Sequence, residues 1–349
     1  KNNKGNTNYL KEIEAAYNNI LNSYVEKVDE SELTNAAIKG MYSYLGDPYT
    51  SYLDKDSTTN LMDRLNGEYK GIGVEITSTE SGTMVMTVFD GSPASKAGIM
   101  VGDIITKVAD TDVQNSTPSI VSNLIKSTNG TTTIEVLRGG VYKTLEINVE
   151  KVSIPSVSSN NFDGVGYIKI TTFSNNTYEQ FKTALSSLEK ENIDSLVIDV
   201  RNNGGGFLNA AVDIAELFIE KGKNIYGLET KEKTEYYKDS TKESRKYKVG
   251  ILLNSASASA SEILAAALKE SYGATLLGIT SYGKGTVQET SELETGGMIK
   301  YTTAYWLTPN GNKINNVGLK PDVEITGDYN DDMDYESDTQ LLTAIKNMK

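Results

Sequence analysis

The chain contains no cysteine and no histidine. Without cysteine there is no disulfide framework, no thiolate nucleophile and no Cys-ligated zinc. Without histidine the Ser-His-Asp triad, the Cys-His pair and the HExxH zinc site are excluded together. Any general base must be Lys, Asp, Glu or Tyr. No stretch approaches the roughly 20 apolar residues of a membrane span. Basic residues are in the minority, 34 against 47 acidic ones, for a net charge of −13. Such a chain repels phosphate backbones, so nucleic acid is not an expected partner, and the acidity otherwise serves solubility.

What is present is 349 residues, 38% of them hydrophobic, enough for two or three domains. Residues 1–66 read as an N-terminal helical region. Leu10, Ile13, Ala16, Tyr17, Ile20 and Leu21 recur at helical spacing, a second helix over 31–45 stops at Gly46-Asp47-Pro48, and a third covers 57–65. Residues 67–153 form a compact β-rich domain. Its Val-, Ile- and Thr-rich runs, such as TMVMTVF and TTTIEVLR, are interrupted by helices over 93–97 and 117–126. Residues 154–328 alternate strand and helix. VGYIKI, SLVIDV, VGILLN and TLLGI are buried strands, and helices cover 177–191, 209–220 and 261–271. Residues 329–349 end in a helix over 338–348. The pattern predicts a multidomain α/β (α+β) protein whose catalytic layer has at least partly parallel strands, with ligands at their carboxyl ends.

Two of those strand ends are followed by unusual segments. Arg201-Asn202-Asn203-Gly204-Gly205-Gly206 follows SLVIDV, and Ser255-Ala256-Ser257-Ala258-Ser259-Ala260-Ser261-Glu262 follows VGILLN. Small residues let a backbone approach a ligand closely, and turns leading into helices offer N–H groups to an anion such as a tetrahedral oxyanion. One of the four serines serves as a helix cap, and Ser261 is placed for that. A nucleophilic serine needs a base. Lys284, between two glycines, follows the next strand. Neutralising a lysine of ordinary pKa at pH 7 costs roughly 4.6 kcal/mol, so a working base has to be desolvated.

The ordered motifs LGDPYTSYL, YKGIGVEI, GSPASKAGIMVGDIITKV, VGYIKITTF, LVIDVRNNGGG, SASASEILAAALKE, YGKGTVQE, YWLTPNGNKI and GLKPDVEI run along nearly the whole chain. In them the chain resembles the carboxyl-terminal processing proteases, the tail-specific Ser/Lys peptidases. The resemblance implies a ClpP/crotonase-like layered catalytic core and a PDZ-like domain. It implies Ser259 as nucleophile, with Ser257 as the alternative, Lys284 as general base and Gln288 as the residue holding that lysine. It implies oxyanion donors at Ala260 and at Gly205, or Gly204, and no metal or organic cofactor. Two departures stand out. Asn254-Ser255-Ala256 precedes the motif where the family usually has glycine, and Glu270 stands where an Asp is often found.

Gly71-Ile72-Gly73-Val74 has the form of a carboxylate-binding loop, beside which a peptide adds as a strand. The resemblance implies protein or peptide substrates with free apolar C-termini. Arg138 is expected as a solvated strand-end residue, the alternative being a regulatory contact toward the catalytic domain. The function implied is a serine endopeptidase that processes or degrades proteins from the C-terminus. The alternative is a catalytically silent or resting-state PDZ tail-binding protein. A homodimer through the N-terminal helical region is a further expectation. So is an extracytoplasmic, membrane-anchored full-length protein, since the polar start KNNKGN without Met fits removal of a signal or anchor segment.

Overall fold

A computed structural model of the chain describes residues 6–294, 296–330 and 335–349. Residues 1–5 of the expected helical region and 331–334 of the C-terminal segment lie outside the described residues. Two compact units emerge, one of residues 1–61 with 286–304 and the other of 62–285 with 305–349.

Along the chain, α1 (Asn6–Ser23) and α2 (Glu30–Ser43) come first. Asp29 caps α2 by accepting the Ser31 and Glu32 N–H groups. The apolar positions of α1 do not enter a core, because Leu10, Ile13 and Ile20 are exposed. Next come β1 (Ser51–Leu53) and α3 (Lys55–Asn66).

The second domain is a seven-stranded sheet. Its strands are β2 (Glu68–Gly71), β3 (Val74–Thr79), β4 (Gly82–Val88), β5 (Ile104–Val108), β6 (Thr111–Asp112), β7 (Gly130–Arg138) and β8 (Val141–Ser153). The helices are α4 (Pro93–Ala97) and α5 (Pro118–Ser127). The order β2-β8-β7-β5-β4-β3 leaves β2 and β3 at the two ends. Ile72, Val85, Ile105, Ile134, Val136 and Ile147 fill the interior, and each such side chain withdrawn from water contributes about 1.5–3 kcal/mol. The domain's ends meet where Ile154 N–H donates to Gly67 C=O (2.7 Å). Asn176 Nδ2 then donates to both Gly67 C=O and Ser153 Oγ.

The third region begins with β9 (Val157–Phe162), β10 (Val165–Ile170), α6 (Thr177–Lys190), β11 (Ser195–Asp199) and α7 (Leu208–Glu216). It continues with β12 (Asn224–Glu229), β13 (Thr234–Lys238), β14 (Lys248–Leu253), α8 (Ala260–Ala267) and β15 (Thr275–Gly278). The sheet order is β18-β15-β14-β11-β10-β9, with β18 (Val323–Glu324), and it is parallel except for β9. Parallel strands need crossovers that place helices on the faces, which is why these strands carry unbroken apolar runs. α7 stops at Glu216, short of the expected end, as Leu217, Phe218 and Ile219 turn into the interior. The helix after the serine repeat likewise ends early. It relaxes into a π turn over Leu268–Tyr272 that closes at Gly273, where φ is 98°.

β16 (Thr286–Glu292) and β17 (Met298–Leu307) follow. Met298, Ile299 and Lys300 of β17 pair with β1 in the first unit, and Tyr305, Trp306 and Leu307 pair with β12 in the second. The chain closes with α9 (Thr339–Met348), whose Leu341, Ile345 and Met348 pack on Val197, Leu252 and Leu277 of the parallel sheet.

Candidate active site

The carboxyl ends of β11, β14 and β15 lie side by side, in register through Asp199–Leu252 and Leu253–Gly278. The glycine turn, the serine repeat and the lysine turn therefore issue from neighbouring strands of one sheet. Arg201 anchors the first of them. Its guanidinium is buried between Asp199 (2.6 Å) and Asp338 (2.7 Å), the N-cap of α9, and Tyr167 Oη donates to Asp199. A buried arginine flanked by two carboxylates fixes where the turn begins.

The four serines of the repeat have separate fates. Ser255 is exposed. Ser257 is buried, donating to Val200 C=O (2.7 Å) and accepting the Asn254 N–H. Ser261, expected as the cap, instead lies inside α8 and donates to Asn203 C=O (2.8 Å). Together with the Ala258 N–H, which also donates to Asn203 C=O, these two hydroxyls stitch the serine turn to the glycine turn. Ser259 is the N-cap of α8, half-buried, with φ 57° and ψ −116°. That conformation is disfavoured for an L residue by about 1–3 kcal/mol and persists where the surroundings enforce it. Ala260 opens α8, where the first N–H groups of a helix lack helical partners.

Gly205 comes within contact of this elbow. A Cβ built there would lie 2.9 Å from Ser259 Cβ and from Ala258 C=O, at φ 104°. Its own N–H donates to Asn203 Oδ1 (2.9 Å). Gly204 faces open space.

Glu262, to which the sequence assigned no role, joins the turns. It is 1% exposed. Its Oε1 accepts Ser281 Oγ (2.6 Å) and Gly283 N–H (2.7 Å), and its Oε2 accepts Ser259 N–H (2.9 Å) and Lys284 N–H (3.0 Å). Burial pushes its carboxyl above the usual value, although all four donors favour the ionised form. The backbones of Ser259 and Lys284 are thus brought together on one carboxylate. Lys284 is half-buried, and Trp306 Nε1 donates to its C=O (2.8 Å). Only the SASASE spacing hinted at Glu262, as a capping-box residue three positions after the cap.

Gln288 belongs to the other unit. There its Nε2 donates to Thr286 Oγ1 and Thr302 Oγ1, and Thr302 Oγ1 donates to Asp47 Oδ2 (2.5 Å). Asp47 also accepts the Thr50 hydroxyl and the Tyr49 N–H. The LGDPYTSYL motif is therefore a turn that holds the strand beneath Gln288, a purpose invisible in the motif itself. Glu270 lies in the π turn and accepts the Asn310 N–H.

In the β-rich domain the loop 71–74 presents its carbonyls inward. Ile72 C=O accepts the Ala94 N–H and Gly73 C=O accepts the Phe89 N–H, so the loop's own N–H groups face the opposite side. Arg138 is not a solvated strand-end residue. It forms a two-pronged pair with Asp103 (2.7 Å for each bond) and donates to Gly98 C=O, all within its own domain. Asp103 is 1% exposed and draws the guanidinium inward.

Among the described residues no group of three or more Asp and Glu side chains is arranged to hold a metal ion, and no helix is long and apolar enough to cross a membrane.

Comparison with known proteins follows the same divisions. Residues 164–325 match the model of peptidase family S41, residues 71–149 a PDZ domain, and residues 1–57 the N-terminal domain of the activating protease CtpB. A "Probable CtpA-like serine protease" of Staphylococcus haemolyticus (strain JCSC1435) is 37% identical over 320 residues, covering 90% of this chain and 64% of the relative. One of the same description from Staphylococcus aureus (strain COL) is 38% identical over 327 residues, covering 93% and 66%. The chain thus spans about two thirds of the length of these relatives. Among solved structures, the photosystem II D1 C-terminal processing protease superposes with a TM-score of 0.54 at 29% identity, covering 91% of this chain and 86% of that one. With CtpB-type, PDZ and S41 segments in chain order and CtpA-like relatives along nine tenths of its length, the chain belongs to peptidase family S41.

Proposed function

We propose that the protein is a serine endopeptidase that holds a protein tail on its PDZ domain and cuts the chain upstream of it. The observation that carries this reading is the shared grip of Glu262 on Ser259 and Lys284, beside a helix N-terminus and the close approach of Gly205. Ser259 Oγ attacks the scissile carbonyl and its proton passes to the Lys284 amine. The lysine then protonates the leaving amine, and water, deprotonated by the same lysine, hydrolyses the acyl-enzyme. The Ala260 N–H supplies one oxyanion donor. Gly205 supplies the second once its N–H leaves Asn203 Oδ1. Gln288 is steadied through Thr302 by Asp47 within its own unit, and its role of assisting the lysine is taken from the family resemblance.

That Gly205–Asn203 bond favours a second reading, of the same enzyme in a resting form, over a silent scaffold. The exposed apolar residues of α1 support pairing of two copies, which sedimentation of wild type against Leu10→Glu/Ile13→Glu checks. The family resemblance supports a working place outside the cytoplasm. The test of function is digestion of an unstructured protein with and without its last residues, read by mass spectrometry. Cleavage that needs the free tail and vanishes in Ser259→Ala is expected. Cleavage retained in Ser259→Ala overturns the assignment.

A further inference from the structure

β3 is an end strand of the PDZ sheet, paired with β4 on one side, and α5 packs near it. An added peptide strand would lie along that free edge, its terminal carboxylate on the N–H groups of the loop just before it. A resident side chain already sits there. Val74 N–H donates to the Tyr69 hydroxyl (3.1 Å), and that hydroxyl donates to Val74 C=O (3.3 Å). Val74 thus gives the two groups it would turn toward an incoming strand to one phenol.

The seat for this phenol is built. Tyr69 comes from β2, at the far end of the sheet order, and its ring meets Phe89 edge to face (centroids 6.4 Å apart, 88°). The ring lies so close over Gly71 that a Cβ at that position would be 2.4 Å from it. Burial pushes the phenol's pKa up, so it is neutral at physiological pH and adds no charge beside Glu75.

We infer that the Tyr69 hydroxyl is a resident stand-in for a tail carboxylate, and that a protein C-terminus binds the PDZ domain by displacing it. This rests on the tail-recognition reading above. A carboxylate makes roughly twice as strong a hydrogen bond to backbone N–H groups as a neutral acceptor does, so a true C-terminus replaces the phenol with gain. A neutral chain segment breaks the same bonds and returns nothing better. Tyr69 thereby sets the affinity threshold below which internal segments do not engage.

The test uses the full chain carrying Ser259→Ala, so that the probe is not consumed. The probe is a fluorescent heptapeptide ending in apolar residues, as free acid and as C-terminal amide. Tyr69→Phe keeps the ring and removes the competitor, and is expected to tighten binding of the free acid about 2- to 10-fold. Unchanged or weaker binding by Tyr69→Phe, with the acid still preferred over the amide, overturns the inference and leaves tail recognition standing. Equal binding of acid and amide by both proteins overturns both. Should Tyr69→Phe disturb the fold, hydrogen exchange at Val74 in the unaltered chain decides. Slow exchange without peptide is expected, and fast exchange that the peptide slows sinks the idea.

Discussion

One oxygen atom, Glu262 Oε2, accepts the backbone N–H of both Ser259 (2.9 Å) and Lys284 (3.0 Å), so the two residues of the proposed Ser/Lys pair share a single support. Two hydrogen bonds to Oε1, from Ser281 and Gly283, keep that support from rotating. Glu262→Gln puts an NH2 group against two donors. It should lower kcat about 100-fold with little change in KM, as expected when reacting groups shift by ~1 Å. Steady-state kinetics on a peptide substrate checks this. Stability should fall by about 1–3 kcal/mol in denaturant unfolding.

The same carboxyl predicts opposite pH trends for stability and activity. Its folded pKa lies above the ordinary 4.5, first because of burial. The folded state therefore binds the proton more readily. The contribution to stability is present below about pH 4.5 and is lost as pH rises through the folded pKa. Activity needs the ionised form, which alone accepts all four donors, and rises over that window. Urea unfolding between about pH 4 and pH 7 should show the stability advantage of wild type over Glu262→Gln shrinking toward neutral pH.

Ser259 holds a backbone conformation that glycine adopts more readily. Ser259→Gly and Ser259→Ala should both be inactive, but the glycine variant should be more stable than the alanine variant by about 1–2 kcal/mol. Equal denaturation midpoints would show that the elbow is not strained.

Adjacent glycines should respond differently to the same methyl group. Gly205→Ala presses a Cβ on Ser259 and Ala258 and should cost about 10²–10³ in kcat by displacing the proposed oxyanion turn. Gly204→Ala meets nothing within 4 Å and should stay within a few-fold of wild type. Similar losses at both positions would count against the placement of Gly205.

Asp338→Ala leaves Arg201 buried with one carboxylate and removes the cap of α9. A loss of about 3–5 kcal/mol is expected, and raising salt should not mimic it because the pair is shielded from solvent. Chemical denaturation in low and high salt measures both.

The buried strands were readable because both faces are covered, so SLVIDV and VGILLN announce themselves as apolar runs. The β12–β13 and β16–β17 strands were not, because they mix tyrosines, threonines and charges. All five residues of TEYYK are exposed, so no burial pattern marks them. Within the site, the family resemblance points to Ser259 with Ser257 as the alternative, and the structure adds that the hydroxyls of Ser257 and Ser261 are tied to the carbonyls of residues 200 and 203. Long-range partners escaped altogether. Asp47 reaches Thr302, Arg201 reaches Asp338 and Arg138 reaches Asp103, and nothing local in the sequence names the second member of each pair. Ser261 is expected as the cap because it stands where the apolar run begins, yet the cap falls two residues earlier, at Ser259.

The contact of Ile154 with Gly67, bridged on its flank by Asn176, gives the PDZ domain a particular standing in the chain. It is an insertion whose entry and exit meet, not a bead on a string. The polypeptide leaves and re-enters beside the Gly67–Ile154 hydrogen bond, so the flanking segments keep their spacing whatever occupies the insertion. Such an architecture lets the PDZ domain be exchanged, enlarged or deleted while the scaffold carrying the serine and lysine turns stays closed on itself.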